Sequence, residues 1–448
     1  MKTLIKLDSI VTMDTARRII RRGAIVIDDN KIERVLTERE MLSERGFQGE
    51  IVDATNLTAI PGFIQTHIHL CQTLFRGLAD DLELLDWLRL RIFPFEAAHN
   101  DASMRASALL GLAELIRSGT TTIMDMGSIH HEEEVVRAID EVGLRAFVGK
   151  AMMDQNDIYP GLREPTKESI ASTLRQAEQW HRSSGGRIRY AVAPRFVLSC
   201  TDELLRGAYE MTQSFPGMLF HTHAAENRHE IEAVRKRCHM DNIEFFDSIG
   251  VLHSNMCLAH CIWLSEKEMD LLQQRHAKVL HCPSSNLKLG SGVAKVPTLV
   301  AKGVTVSLGA DGAPCNNTLD MFHEMRLAAL IQKPVHGPMA MDARSVFEMA
   351  TLGGAAALGL DAEVGSIEPG KKADVVLVDL DRPWNPLASG TGDDVYSSIV
   401  YSGSPENVHS VMVDGRWLYR NREYVSLDQS KIVQTAKNEL YKLQKRVV

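Results

Sequence analysis

The chain has 448 residues, 44% of them hydrophobic and 24% charged, with a formal net charge of −8. That length fits one large α/β domain with a small companion. An acidic chain without a Lys/Arg block argues against nucleic acid or an anionic membrane as a partner.

The opening run MKTLIKLDSIVTMD is broken by Asp8 too early for a signal peptide, and no later run of 18 apolar residues could span a bilayer. The seven cysteines (Cys71, Cys200, Cys238, Cys257, Cys261, Cys282 and Cys315) form no CxxC. They read as reduced thiols of a cytoplasmic protein. Residues 1–58 look like short strands and turns, in IKLDSIVTMD, GAIVIDDNKIERV and GEIVDATN.

From 59 to 364 a strand-like run and a longer amphipathic stretch alternate. The runs are LTAIPGFIQTHIHL, TTTIMDMG, RAFVGKAMM, RIRYAVAPRF, GMLFHTHAAE, NMCLAHCI, KVLHCPSSN and TVSLGADG. The intervening ASALLGLAELIRSG and EEEVVRAIDEVG each end in Gly, as a helix C-cap should. Eight such units predict an α/β fold, a (β/α)8 TIM barrel, with an open doubly wound sheet as the alternative. Residues 365–448 return to strands, in VGSIEPGKKADVVLVDLD, SIVYSGSPENVHSVMVDG and RWLYRNREYV, with Asp414-Gly415 as a hairpin turn. A helix is predicted from about Asp428 to Arg446. The expected organisation is therefore a catalytic barrel over 59–364 and a small β-sandwich domain built from 1–58 and 365–448.

Catalytic groups of such a barrel sit at the C-terminal ends of its strands, and here those ends are polar. Strand one ends in His67-Ile68-His69. Strand four ends in Arg195-Phe196, and strand five in His221-Thr222-His223-Ala224-Ala225-Glu226. Strands six, seven and eight end in His260, in His281 and in Asp311. Residues i and i+2 of a strand share a face, roughly 7 Å apart, so His67 and His69 can reach one metal. His223 is favoured as the third ligand because Glu226 lies just beyond the strand end; His221 then falls one layer down. Asp311 follows an apolar strand, where a carboxylate is stable only if paired, hydrogen-bonded or on a metal. Its bland alternative is an N-cap for the next helix.

Three imidazoles and a carboxylate suit one divalent ion, Zn²⁺, with Fe²⁺ chemically possible. Such an ion lowers the pKa of bound water from about 15.7 toward about 7. Asp311 can take the water's proton, Glu226 can act as general acid, and His260 can hydrogen-bond the water or the developing charge. Taken alone, His260 would read as a satisfied core histidine.

The motifs PGFIQTHIHL, HTHAAE, LAHC, HCPSSNLKLGSG and LGADGAPCNN together resemble the amidohydrolase superfamily, from about Ile60 to Gly370. They look most like its adenosine-derivative, guanine and triazine aminohydrolases. The resemblance implies a mononuclear metal on His67, His69, His223 and Asp311, with Glu226 and His260 as catalytic partners. In binuclear branches a carboxylated lysine ends strand four. Arg195 stands in that region here, so one metal is expected, and Lys150 is the only nearby lysine.

FRGLADDLELLDWL, NLKLGSGVAKVP and GADGAPCNNTLDMFHEMRLAALIQK are similar to deaminases of 5′-deoxyadenosine, methylthioadenosine and S-adenosylhomocysteine. There a Trp like Trp87 packs on the nucleoside, and an Arg like Arg163 can meet a carboxylate on the 5′ substituent. Gln72, Arg195 and Phe196 instead resemble guanine deaminases, where such residues hold the base. His281 is a further expected substrate contact. The expected activity is hydrolytic deamination of a small-molecule amino-purine, with a 5′-modified adenosine ahead of guanine. A triazine-type aminohydrolase or chlorohydrolase and a non-catalytic barrel scaffold are the other readings. The family's habits imply a homo-oligomer.

Overall fold

The computed structural model describes residues 2–42, 44, 46–156, 159–385 and 394–447. Its middle is a parallel barrel. The strands are Phe63–His69, Thr120–Met126, Arg145–Gly149, Ile188–Pro194, Leu219–Ala224, Met256–His260 and Lys278–His281, and the eighth combines Val306–Leu308 with Asp311–Gly312. Each pairs in parallel with the next. Closure comes from the eighth, whose first half pairs with the seventh strand while Asp311 and Gly312 pair with Ile68 and His69 of the first. Each of the eight strand-like runs therefore supplies a barrel strand. They are apolar nearly throughout because both faces of a parallel sheet are covered.

The two chain ends meet in a second sheet of eight strands. Glu50–Pro61 lies in parallel beside Lys2–Val11 and antiparallel to Val375–Val378. The edge strand Lys31–Leu36 returns to the segment before Val375: Ile32 N–H donates to Lys371 O at 2.9 Å. The sheet thus curls over a core that includes Ile5, Ile25, Ala59 and Val375. Asp414 and Gly415 both lie at positive φ, as a two-residue hairpin turn needs.

Two sequence expectations change. LTAIPGFIQTHIHL is two strands in two sheets, Glu50–Pro61 and Phe63–His69. SIVYSG is not a strand: it completes the helix Asp394–Ser402. Val395, Tyr396, Ile399 and Val400 are all buried, which is the spacing of one helix face, and the first turn of that face precedes the apolar run.

Barrel and terminal sheet are joined by a buried ion pair. Arg145, on the third barrel strand, donates to both carboxylate oxygens of Asp374 at 2.8 and 2.9 Å. Arg145→Met leaves that carboxylate buried without its cation. A loss of about 3–5 kcal/mol is expected, read as a lowered urea midpoint with the metal site intact. The predicted last helix forms over Gln429–Gln444, with Asp428 as its N-cap. It packs Ala436 and Leu443 into the cluster that holds Trp87, Leu88 and Phe93. Among the described residues no helix is long and apolar enough to cross a membrane.

Candidate metal centre and active site

The strand ends bring His67, His69, His223 and Asp311 together, with one ligand atom from each inside a 4.8 Å span. Their orientation is set from behind. His69 Nδ1 lies 2.7 Å from Met126 O, and His223 Nδ1 lies 2.7 Å from Arg195 O. A carbonyl only accepts, so each Nδ1 carries the hydrogen, and in the neutral imidazole each Nε2 offers a lone pair. Yet these two Nε2 atoms face each other at 3.3 Å. Two lone pairs at that separation repel unless a cation lies between them.

His67 adds a third such atom. Its Nδ1 lies 2.7 Å from His221 Nε2, and its own Nε2 is buried without a hydrogen-bond partner. Burial pushes the His67 imidazole down to about 4, so it stays neutral, as a ligand must. Asp311 Oδ1 lies 3.3 and 3.2 Å from the Nε2 atoms of His67 and His69. Three nitrogens and one carboxylate fit a divalent metal of the zinc type. His221 sits behind His67 rather than in the cluster. Lys150 ion-pairs with Glu164 and donates to Ala151 O at 3.3 Å, so its ammonium is engaged away from the four ligands.

Asp311 is held twice. Ser285 Oγ donates to its Oδ2 at 2.6 Å and the Gly312 N–H to its Oδ1 at 2.7 Å. Asp311, Ala225, His260 and Cys261 all have positive φ, between 49° and 72°. Such backbone is strained for non-glycine residues and persists where the surroundings over-determine it. Here it falls at the ends of strands five, six and eight.

His260 Nδ1 lies 2.8 Å from Asn286 Oδ1, and its Nε2 faces Glu226 Oε2 at 3.5 Å and Asp311 Oδ2 at 3.8 Å. Burial, with the Asp311 and Glu230 charges nearby, pushes the Glu226 carboxyl well above the ordinary carboxylate range. A carboxyl pushed toward its protonated form is what a general acid requires. Glu230 also fixes the Glu226 backbone: its Oε2 accepts the Glu226 N–H at 2.7 Å, and Asn242 donates to its Oε1 at 2.6 Å.

The cavity above these groups is lined by Gln72, Trp87, Arg195 and Phe196, all anticipated from the sequence. Two expected contacts are not among its lining residues. Arg163 is exposed after the short helix Pro160–Leu162 and lines a separate groove with Asp154 and Arg237. His281 is sealed inside the barrel, where burial pushes its imidazole down to about 3. Arg195 is also less free than a base clamp would be, because both its terminal nitrogens donate to Glu96.

Glu96 and Glu230 escaped the sequence reading, and Asn286 entered it only within HCPSSN, at the polar end of strand seven. Glu230 resembles an ordinary capping-box glutamate, which it also is, for the helix Arg228–Cys238. The one signal for Glu96 was a lone carboxylate in the apolar run RIFPFEAA.

A closed parallel barrel with this cluster at its strand ends defines a metal-dependent hydrolase. Residues 58–418 match the amidohydrolase family, and the chain belongs to it. It is 41% identical over 422 residues to a 5′-deoxyadenosine deaminase of Methanothermobacter thermautotrophicus, covering 93% of this chain and 94% of that one. It is 35% identical over 426 residues to a 5-methylthioadenosine/S-adenosylhomocysteine deaminase of Moorella thermoacetica, covering 95% and 96%. Among solved structures it resembles a zinc-bound adenosine deaminase from Xanthomonas campestris, with a TM-score of 0.92, 28% identity and coverage of 99% and 98%.

Proposed function

We propose that this protein hydrolytically deaminates a 5′-modified adenosine, 5′-deoxyadenosine foremost, with one zinc ion held by His67, His69, His223 and Asp311. The observation that carries this reading is the 41% identity, over nearly the whole chain, to a relative named for that activity. The complete set of acid, base and ligand residues supports it.

The bound ion would supply a water acidified toward a pKa of about 7. Asp311, steadied by Ser285, takes that water's proton at Oδ2. Glu226 delivers its proton to the ring nitrogen beside the amine-bearing carbon. His260 Nε2, aimed between Glu226 and Asp311, steadies the charge that develops as water adds. The proton held by Asp311 then passes to the amine, which leaves as ammonia, while the added hydroxyl returns a proton to Glu226 and the ring retains a carbonyl oxygen derived from water. Trp87 and Leu88 give the same cavity apolar lining.

A guanine-specific reading draws on Gln72, Arg195 and Phe196 in the lining. Ammonia release and ultraviolet absorbance should be followed with 5′-deoxyadenosine, methylthioadenosine, S-adenosylhomocysteine, adenosine and guanine. The highest kcat/KM is expected with a 5′-modified adenosine. Turnover of guanine alone overturns the assignment.

A further inference from the structure

Residues 77–92, on the way from the first barrel strand to the second, are tied down on two sides of the barrel mouth. Near the start, the Gly77 N–H donates to Asn317 Oδ1 at 3.0 Å. Asp80 ion-pairs with Lys288 and accepts from Asn317 Nδ2 at 3.2 Å. These partners follow strands seven and eight. Further along, His229 Nδ1 lies 2.8 Å from Glu83 Oε2. A carboxylate only accepts, so the histidine donates. His229 belongs to the helix after strand five, and strand five stands opposite strand one in the ring of eight. A segment that leaves strand one and is tied to that helix has crossed the mouth.

The crossing has two faces. Leu84, Trp87 and Leu88, at helical spacing, are buried and line the metal cavity, whereas Arg89, Leu90 and Arg91 are exposed. Beneath it the cavity offers only about 30 Å³ to the centre of a water-sized sphere. That is room for roughly two waters and far too little for a purine nucleoside, so a wall has to move before one can enter. The walls at the strand ends are fixed by the barrel's ladder. The crossing segment is held by two pairs at the surface, Asp80 with Lys288 and Glu83 with His229. Exposed pairs of this kind are individually weak. Its ends suit a hinge: Gly77 sits at φ +71° in open space, and Leu88–Ile92 forms a π-helical turn, a form frequent at functional sites.

We propose that residues 77–92 are a lid, and that the Asp80–Lys288 and Glu83–His229 pairs are the latches that close it over the substrate. This rests on the deaminase reading above, which sets the size of the ligand. Opening admits the nucleoside and releases the product. Closing brings the apolar face down and excludes water from the reaction. The latches govern entry and exit, and the chemistry stays with the strand ends.

Two measurements on metal-loaded full-length enzyme test this. The first is amide hydrogen exchange in Asp80→Ala/Glu83→Ala. Neither side chain lines the cavity, and Glu83 makes no side-chain capping bond to the helix Leu84–Trp87. In wild type, residues 84–92 are expected to exchange ahead of the barrel strands. In the variant they should exchange about three- to tenfold faster still, with the strands unchanged. The second joins Glu83→Cys to His229→Cys with a short, reducible thiol cross-linker. The bridged enzyme is expected to lose turnover of 5′-deoxyadenosine and to regain it when a reductant cuts the bridge. Each single-cysteine variant, treated alike, should keep its turnover.

A bridged enzyme that works at the unbridged rate overturns the proposal, and so does exchange over 84–92 that is no faster in the latch variant. Should the double-cysteine variant fail to fold, the exchange measurement decides alone. Wild-type enzyme that turns over no aminopurine nucleoside would instead sink the deaminase reading, and the exchange would still report on the lid.

Discussion

Asp311→Asn is expected to lose both bound metal and turnover. Asp311 is the only anionic member of the four-residue cluster, and its Oδ1 lies 3.3 and 3.2 Å from the facing nitrogens of His67 and His69. An amide in its place removes the charge that balances the cation. It also removes the proposed base for the water's proton. Losing a general base alone costs about 10²–10⁴-fold in rate, and the lost metal adds to that. Metal content by elemental analysis, paired with ammonia release, should show both deficits in one sample. Full metal occupancy with wild-type turnover would place the base and the fourth ligand elsewhere.

Glu226→Gln is expected to separate the two properties. Glu226 is outside the ligand cluster, and its raised carboxyl suits the proposed role of acid. Turnover should fall about 10²–10⁴-fold while metal content stays at the wild-type level. The sign of the pH dependence follows from the same shift. A raised carboxyl is protonated, and competent as an acid, below its shifted pKa. Wild-type kcat/KM should therefore decline as the pH rises through that value, and the variant should lose that alkaline limb. An unchanged alkaline limb in Glu226→Gln would assign it to another group.

The residues that the sequence exposes most clearly are those bound to a strict geometry. His67 and His69 share a strand face because the period of a strand is two, and a carboxylate such as Asp311 at the end of an apolar strand is stable only when paired, hydrogen-bonded or on a metal. The barrel is legible for the same reason, since buried parallel strands write continuous apolar runs. Glu96 is different. Its partners Gln72 and Arg195 come from other strand ends, 24 and 99 positions away, so no local period could announce it. Arg163 is the opposite case. A charge carried over from a resemblance says nothing of where its loop runs, and this loop runs to a neighbouring groove. The helix Asp394–Ser402 was hidden because its β-branched and aromatic residues satisfy both a strand and a helix pattern.

Anomalous diffraction at the zinc absorption edge, on crystals of full-length protein grown with zinc, tests the metal centre most directly. A single peak enclosed by His67, His69, His223 and Asp311 is expected. No peak at that position, or a second peak reached by Lys150, would contradict a mononuclear centre built from these four residues.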